Sequence, residues 1–163
     1  MGIGYNKSNE NMYFRGRKEA AIHNVRLQSR NGAAEILGVS PSTLADYELG
    51  LTKVVPVDKV VLMADLYGCP EFKNRYCKCE CPIGKTMPIA TEIKSIEGAA
   101  LRFVREFDND RIRELVKDVA VIASDGVLTD AKKEDLREIL KKMDRLAETI
   151  SEVKLVGEKT LKG

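Results

Sequence analysis

A chain of 163 residues can hold one ordinary domain or two small ones, and its hydrophobic content of 44% is typical of a folded protein. No run of about 18 apolar residues occurs, so a membrane span is not expected. The 27 Lys and Arg residues against 25 Asp and Glu residues give a formal net charge of +2, which neither requires nor excludes nucleic acid as a partner.

The N-terminal segment, MGIGYNKSNENMY, lacks the apolar core of a signal peptide. Its Asn, Ser and Gly content predicts a flexible arm over residues 1–14. We therefore expect a cytoplasmic protein, in which the four Cys residues are reduced or metal-bound rather than paired in disulfides.

Helical periodicity dominates the rest of the chain, and no stretch alternates apolar and polar residues long enough to indicate a sheet. Residues 68–88 contain three of the five Pro residues and all four Cys residues, which is typical of an irregular connector. The sequence predicts an all-α fold with an N-terminal domain over residues 15–68, a connector over 69–92 and a C-terminal helical hairpin or bundle over 93–163.

The first helix is predicted from Met12 to Leu27, and its surroundings are basic. Between residues 15 and 30 one acidic residue, Glu19, faces five basic residues, Arg15, Arg17, Lys18, Arg26 and Arg30. Such a cluster could contact phosphates, and a solvated helix face would give the same run.

Three further helices are predicted from their end signals. Ser29 is the N-cap of a helix that ends at Gly38, and Ser40 with Pro41 starts another that ends at Gly50. A fourth helix starts near Asp58 and ends at Gly68, with inward residues Val60, Val61, Ala64 and Tyr67. Two short helices joined at Gly38, with Val39 filling the elbow, form the arrangement in which a second helix enters the major groove of DNA.

The stretch SRNGAAEILGVSPSTLADYELG, followed by KVVPVDKVVLMADLYG, resembles the Cro/C1-type (XRE-like) helix-turn-helix domains of phage repressors and bacterial regulators. The resemblance covers about residues 17–68 and implies a lambda-repressor-like domain of four to five helices. Its matching features are Ala34, Gly38, Val39, Ser40, Leu44, Tyr47, Glu48, Gly50, Pro56, Ala64 and Gly68.

The resemblance also implies roles for individual residues. The base-reading positions fall on Arg30, Pro41, Ser42 and Asp46, and the phosphate-contacting positions on Ser40, Thr43 and Lys53. Pro41 can offer only apolar contact, for example to a thymine methyl group, and Asp46 could accept from cytosine N4 or face solvent. Glu48 is expected to pair with Arg15 or Arg17 of the first helix, and Tyr47 to pack in the core.

A longer run, from YFRGRKEAA to NRYCKCECPIG, is similar to XRE-like regulators from Firmicutes genomes and their mobile elements. Cys77 and Cys81 fall on positions of that group, whereas Cys69 and Cys79 do not. The four thiols could hold zinc or an iron–sulfur cluster, but C-x-C-x-C in an extended segment would point alternate thiols apart. Packing, metal binding and redox-sensitive thiols all remain open for this cluster.

The C-terminal region is predicted to contain three helices. Ser95 caps the first, with Ile96, Ala99, Ala100, Phe103 and Phe107 on one face, and Asp108 or Asn109 starts the second, with Ile112, Leu115, Val116, Val119 and Ile122 inward. After a break at residues 124–126, Thr129 caps a long helix with an apolar stripe: Leu136, Ile139, Leu140, Met143, Leu146, Ala147, Ile150 and Val153. The stripe either closes against the two preceding helices or is buried partly by a second copy of the protein.

The main hypothesis is a repressor-like bacterial transcriptional regulator that binds a palindromic operator on double-stranded DNA as a homodimer through its C-terminal helices. The alternative is a protein-interaction module, such as an antitoxin, an adaptor or a phage-encoded inhibitor, with secondary DNA binding. No phosphate loop, nucleophile elbow or paired acid–base constellation is visible, so an enzyme is not predicted.

Overall fold

The computed structural model describes residues 11–124 and 126–162, and the elements within this part of the chain are all helical, as predicted. The α-helices are α1 (Met12–Ala20), α2 (Arg30–Leu37), α3 (Pro41–Leu49), α4 (Val57–Leu66), α5 (Glu71–Cys79), α6 (Ile96–Glu106), α7 (Asn109–Ala123) and α8 (Asp130–Lys162). The chain divides into a first compact unit that extends to Lys85 and a second unit from Thr86 to Thr160. In the described ranges, every helix is too short or too polar to cross a membrane.

The first helix begins inside the segment predicted as a flexible arm. The side chain of Asn11 accepts a hydrogen bond from the Tyr13 amide at 2.9 Å and caps α1. Tyr13 is buried in the core, so the last residues of the predicted arm belong to the folded unit. Residues 1–10 of that arm lie outside the described residues.

The prediction that the first helix continues to Leu27 is wrong. Helix α1 ends at Ala20, and a separate 3₁₀ helix follows at Val25–Gln28. The side chain of Asn24 accepts a hydrogen bond from the Arg26 amide at 3.1 Å, which offers the backbone an alternative to a continued α-helix. Leu27 is fully buried and holds this short helix against the core.

The predicted ends of α2 and α3 are confirmed. Ser29 Oγ accepts a hydrogen bond from the Gly32 amide at 3.0 Å, and Ser40 Oγ accepts one from the Thr43 amide at 3.0 Å. Gly38 and Gly50, with φ of +63° and +68°, end the two helices in the left-handed conformation that glycine adopts most readily.

Helix α4 packs on the core through Val60, Met63 and Ala64. These positions share one side of the helix because residues three and four apart are neighbours on its surface. The prediction that Val61 points inward is wrong: this side chain lies outside that face and is 40% exposed.

Residues 71–79, predicted to be part of an irregular connector, form helix α5. Its Phe72 is buried with its ring edge-on to the rings of Tyr13 and Tyr67, at centroid distances of 5.4 and 6.4 Å. This aromatic cluster binds α5 to α1 and α4, so the core extends into the stretch whose Pro and Cys residues favoured a loop. The first unit therefore contains five α-helices within the described residues.

In the second unit, side-chain caps start all three helices as predicted. Ser95 caps α6 and Asp108 caps α7, while Thr129 Oγ1 accepts a hydrogen bond from the Lys132 amide at 3.3 Å before α8. Of the predicted break at residues 124–126, Asp125 lies outside the described residues.

The core of this unit is smaller than the apolar stripes predict. Ala99, Leu115 and Ile139 are buried. The prediction that Val116 and Val119 point inward is wrong, because these side chains are 62% and 38% exposed. Along α8 the stripe is likewise exposed at Leu140, Met143, Ile150 and Val153. Closure of the unit on itself therefore leaves much of the stripe in contact with solvent.

Candidate DNA interface

The elbow between α2 and α3 is fixed by small buried residues and by two hydrogen bonds. Ala33 and Ala34 are buried and allow close approach, and the amide of Val39 donates to the carbonyl of Ala34 at 3.0 Å. From α4, Lys59 Nζ donates to the Leu37 carbonyl at 3.0 Å and so satisfies one of the carbonyls at the end of α2. Helix α3 is thereby held at a set angle to α2.

A buried ion pair joins α3 to α1. Glu48 is 0% exposed and Arg17 is 3% exposed. Arg17 donates from Nε to Glu48 Oε1 and from Nη2 to Glu48 Oε2, the latter at 3.0 Å. Arg17 Nη1 also donates to the carbonyl of Leu27 at 2.9 Å. The predicted pairing of Glu48 with an arginine of the first helix is confirmed, and the partner is Arg17.

Arg30 joins the same carboxylate, which the sequence did not indicate. Its Nε donates to Glu48 Oε2 at 2.7 Å, and its side chain is 39% exposed. No local pattern could have revealed this bond, because the two residues lie 18 positions apart. With two guanidinium groups on one carboxylate, one positive charge is left over beside the start of α2.

Three hydroxyl groups cluster at the N-terminus of α3. Ser40 Oγ lies 2.8 Å from Ser42 Oγ and 2.8 Å from Thr43 Oγ1. Ser40, Pro41 and Ser42 are exposed, and Thr43 is half-buried. The N-terminus of a helix favours anions, because the helix dipole is positive there. Here Pro41 has no amide hydrogen and the Thr43 amide donates to Ser40 Oγ, so the hydroxyl groups are the main donors at this end. This end of α3 is thus suited to a phosphate.

The outer side of α3 carries Ser42, Ala45, Asp46 and Leu49 at the spacing of one helical face. Ser42 and Asp46 are exposed, as is required for contact with a base. Ala45 and Leu49 also lie on this side and were not among the predicted contact residues, although counting helical turns from Ser42 would have placed both there. Tyr47, on the opposite side, is buried as predicted, and burial raises the pKa of its hydroxyl group. Lys53 is exposed in the loop after α3.

The four Cys residues do not form a metal site within the described part of the chain. Cys69 is buried with its thiol 3.5 Å from the carbonyl of Tyr67, Cys77 and Cys81 are half-buried, and Cys79 is exposed. Cys77 and Cys79 lie in α5 rather than in the extended segment that was expected. Over residues 11–124 and 126–162, no three His, Cys, Asp or Glu side chains converge as metal ligands would.

Part of the chain matches the model of a known family. A helix-turn-helix family model of the Cro/C1 (XRE) type matches residues 28–73, which run from the end of the 3₁₀ helix through α2, α3 and α4 into α5. No curated protein and no solved structure matches the chain. The match covers the elbow and the outer face of α3, and it supports a DNA-binding helix-turn-helix in this part of the chain.

Proposed function

We propose that the protein is a repressor-like transcriptional regulator of the bacterial cytoplasm that binds a palindromic operator as a dimer. The proposal rests mainly on the exposed face of α3. The ion pair of Arg17 and Glu48 holds this helix in place within the helix-turn-helix. A helix presented in this way can enter the major groove without rearrangement of its own domain.

The contacts divide into those that position the protein and those that read bases. Ser40 and Thr43 contact one phosphate at the N-terminus of α3, and Lys53 contacts another from the loop that follows. Arg30 adds positive charge near the start of α2, since its side chain is partly exposed beside the buried carboxylate of Glu48. These contacts set the register of α3 along the groove.

Base reading falls to the exposed face of α3. Ser42 can donate to or accept from a base edge, and Asp46 can accept from the amino group of cytosine. Pro41 offers an apolar surface to a thymine methyl group. Because this face carries few strong hydrogen-bonding groups, one half-site provides limited discrimination, and two half-sites read by a dimer increase it.

Selection of binding sites from random duplex DNA tests the proposal directly. The expected product is a palindromic sequence bound with a dissociation constant on the order of 10 nM at physiological salt. Affinity should fall steeply as salt rises, because bound phosphates release counterions. Recovery of no enriched sequence, with binding equal on all DNA, would contradict a sequence-specific role.

Asp46→Asn tests the reading face itself. The change removes a negative charge that faces the DNA, so we expect tighter binding to unselected DNA and a changed preference at one base pair of each half-site, on the order of 1–3 kcal/mol. Asp144→Asn, an exposed aspartate on α8 in the second unit, is the matched control with the same change of charge. If the two variants had equal effects on DNA binding, α3 would not be part of the DNA interface.

A further inference from the structure

We propose that the second unit pairs with a second copy of the chain through one apolar face of its helical layer. The inference deepens the proposed function, because it identifies the surface that forms the dimer. The apolar face consists of residues from α6, α7 and α8: Ala100, Phe103, Phe107, Val116, Val119, Leu136, Leu140, Met143, Ala147 and Ile150.

Contacts within the unit show which sides of the helices face each other. Arg102 of α6 bonds Glu152 of α8 at 3.0 Å, and Lys142 of α8 bonds Asp118 of α7 at 3.0 Å. Between these two contacts, Glu106 and Ile112 line a groove with Leu146, which lies between Lys142 and Glu152 on α8. Helices α6 and α7 therefore follow one another along α8, and both run antiparallel to it. A groove between α7 and α8 is lined by residues including Ile122 and Ile139, which agrees with this arrangement.

Helix geometry then places the apolar residues on one side of the layer. In a right-handed helix the next residue lies about 100° further round the axis. Helix α8 runs opposite to α6 and α7. The residue that follows each interhelical residue in sequence therefore points to the same side of the layer on all three helices. After Arg102, Leu115 and Lys142, these following residues are Phe103, Val116 and Met143.

All members of the apolar face are uncharged, and several are open to solvent. Val116 is 62% exposed, Leu140 is 51% exposed and Ile150 is 43% exposed. A layer of helices that is apolar on one side buries that side against another layer in a stable domain. The described residues of the unit supply no such second layer, since these side chains remain exposed.

The opposite side of the same layer is mostly charged, although the apolar residues Leu101 and Val121 are exposed there. One step before the facing residues come Arg105 and Glu114, and from α8 Glu134, Glu138, Lys141, Arg145 and Glu148. Ion pairs between neighbouring residues of α8 lie there, including Lys141 with Glu138 at 2.6 Å. Charged residues outnumber apolar ones on this side, so the apolar face is the side that a partner is expected to cover.

A second copy fits the apolar face better than a partner of different sequence. The face lacks charges that would select a complementary surface, whereas an uncharged face can pack against its own copy about a twofold axis. A layer two helices wide, at about 10 Å per helix and about 40 Å long, offers on the order of 800 Å² per copy. That area is what a stable dimer buries on each partner.

The oligomeric state of the full chain without DNA tests the inference, with Val116→Glu and Val121→Glu as a matched pair. Both valines lie on α7 and are exposed to nearly the same extent, 62% and 64%, but Val121 lies on the charged side. By sedimentation equilibrium we expect a dimer for the wild type and for Val121→Glu. For Val116→Glu we expect the dissociation constant of the dimer to rise by about 100-fold or more, because the glutamate would be buried unpaired.

Two measurements keep this test decisive. Circular dichroism checks that each variant retains its helices, and Met143→Glu on α8 repeats the test if Val116→Glu does not fold. The inference would be overturned if the wild type were a monomer, if Val116→Glu remained a dimer, or if both valine variants dissociated equally. It would also be overturned if the chain were a monomer that binds a different protein. If the variants dissociate as expected but the wild type selects no DNA sequence, the proposed function is refuted and the proposed dimer interface is not.

Discussion

Glu48 lies fully buried between the guanidinium groups of Arg17 and Arg30, and Arg17 is itself removed from solvent. Burying a carboxylate is costly unless its oxygens are paired, and here both oxygens accept charged donors. The carboxylate connects α1, α2 and α3, which are remote in sequence. Removing it would leave a buried arginine without its counter-charge.

Glu48→Gln should therefore destabilise the first unit by about 3–5 kcal/mol. Urea unfolding of the full chain, followed by circular dichroism, measures this loss. The control is Glu35→Gln, which breaks the pair with Arg26 at 3.0 Å where both side chains are mostly exposed. That variant should lose no more than about 1 kcal/mol. Similar losses for both variants would show that burial does not set the strength of the Glu48 pair.

Gly16 allows the close approach of α1 and α5. A Cβ atom at this position would lie 2.5 Å from Cζ of the Phe72 ring. Gly16→Ala should thus destabilise the protein by about 1–3 kcal/mol, in spite of the better helix propensity of alanine. Thermal unfolding measures the change, and Phe72→Leu in the same chain should recover part of it.

Gly157→Ala on α8 is the matched control for that variant. No atom of the described residues lies within 4 Å of a Cβ atom at Gly157, so the change should stabilise the helix by about 0.5–1 kcal/mol. A destabilised Gly157→Ala, or a stabilised Gly16→Ala, would contradict the steric explanation.

At the level of single residues, the sequence predicted the ion pair of Glu48 because the family resemblance includes it. It missed the contact that depends on how the helices pack. The resemblance predicted that Glu48 pairs with Arg15 or Arg17, and the structure shows that the partner is Arg17. The bond from Arg30 to Glu48 depends on the angle between α2 and α3, which no local pattern records. Arg30, predicted to contact DNA, therefore also has a structural partner.

At the scale of the helix, Ser40 has a capping role and a proposed DNA-binding role, and a single substitution can separate the two. Its hydroxyl group caps the helix through the Thr43 amide, and we propose that it also contacts phosphate. Ser40→Asp should leave the thermal stability within about 0.5 kcal/mol of the wild type, because aspartate caps as well as serine. The same change should weaken DNA binding, since the new carboxylate repels phosphate.

A comparison with Ser40→Ala completes that experiment. Alanine removes the cap and should cost about 1 kcal/mol of stability without adding charge. Calorimetry gives the stabilities and fluorescence anisotropy with selected DNA gives the affinities. Unchanged DNA affinity in Ser40→Asp would exclude a phosphate contact at this position.

The ends of the helices were predictable where local chemistry defines them. Gly38, Gly50, Ser29 and Ser40 act through their own backbone conformation or through an amide three residues away. Helix α5 was missed for the opposite reason: the aromatic contacts of Phe72 with Tyr13 and Tyr67 come from distant parts of the chain. The Pro and Cys content of that stretch indicated a loop, and it gave no information about the aromatic residues against which Phe72 packs.

At the scale of the whole molecule, the two units differ in how they satisfy their apolar residues. The first unit buries Leu27, Leu44 and Met63 completely, although it also leaves Ile22 and Leu51 exposed. The second leaves Val116 and Leu140 more than half exposed. Periodicity predicted the apolar stripes of both units, but it cannot distinguish a stripe covered by the same chain from one that another chain covers.

The exposed apolar face of the second unit has a consequence for how such a regulator would respond to its own abundance. If only the dimer occupies a palindrome, then while most of the protein is monomeric and most operators are free, the occupied fraction of operators rises with the square of the protein concentration. A twofold fall in expression would then reduce operator occupancy about fourfold in that regime. Small changes in synthesis or degradation would be converted into a sharp change in transcription, without any bound effector.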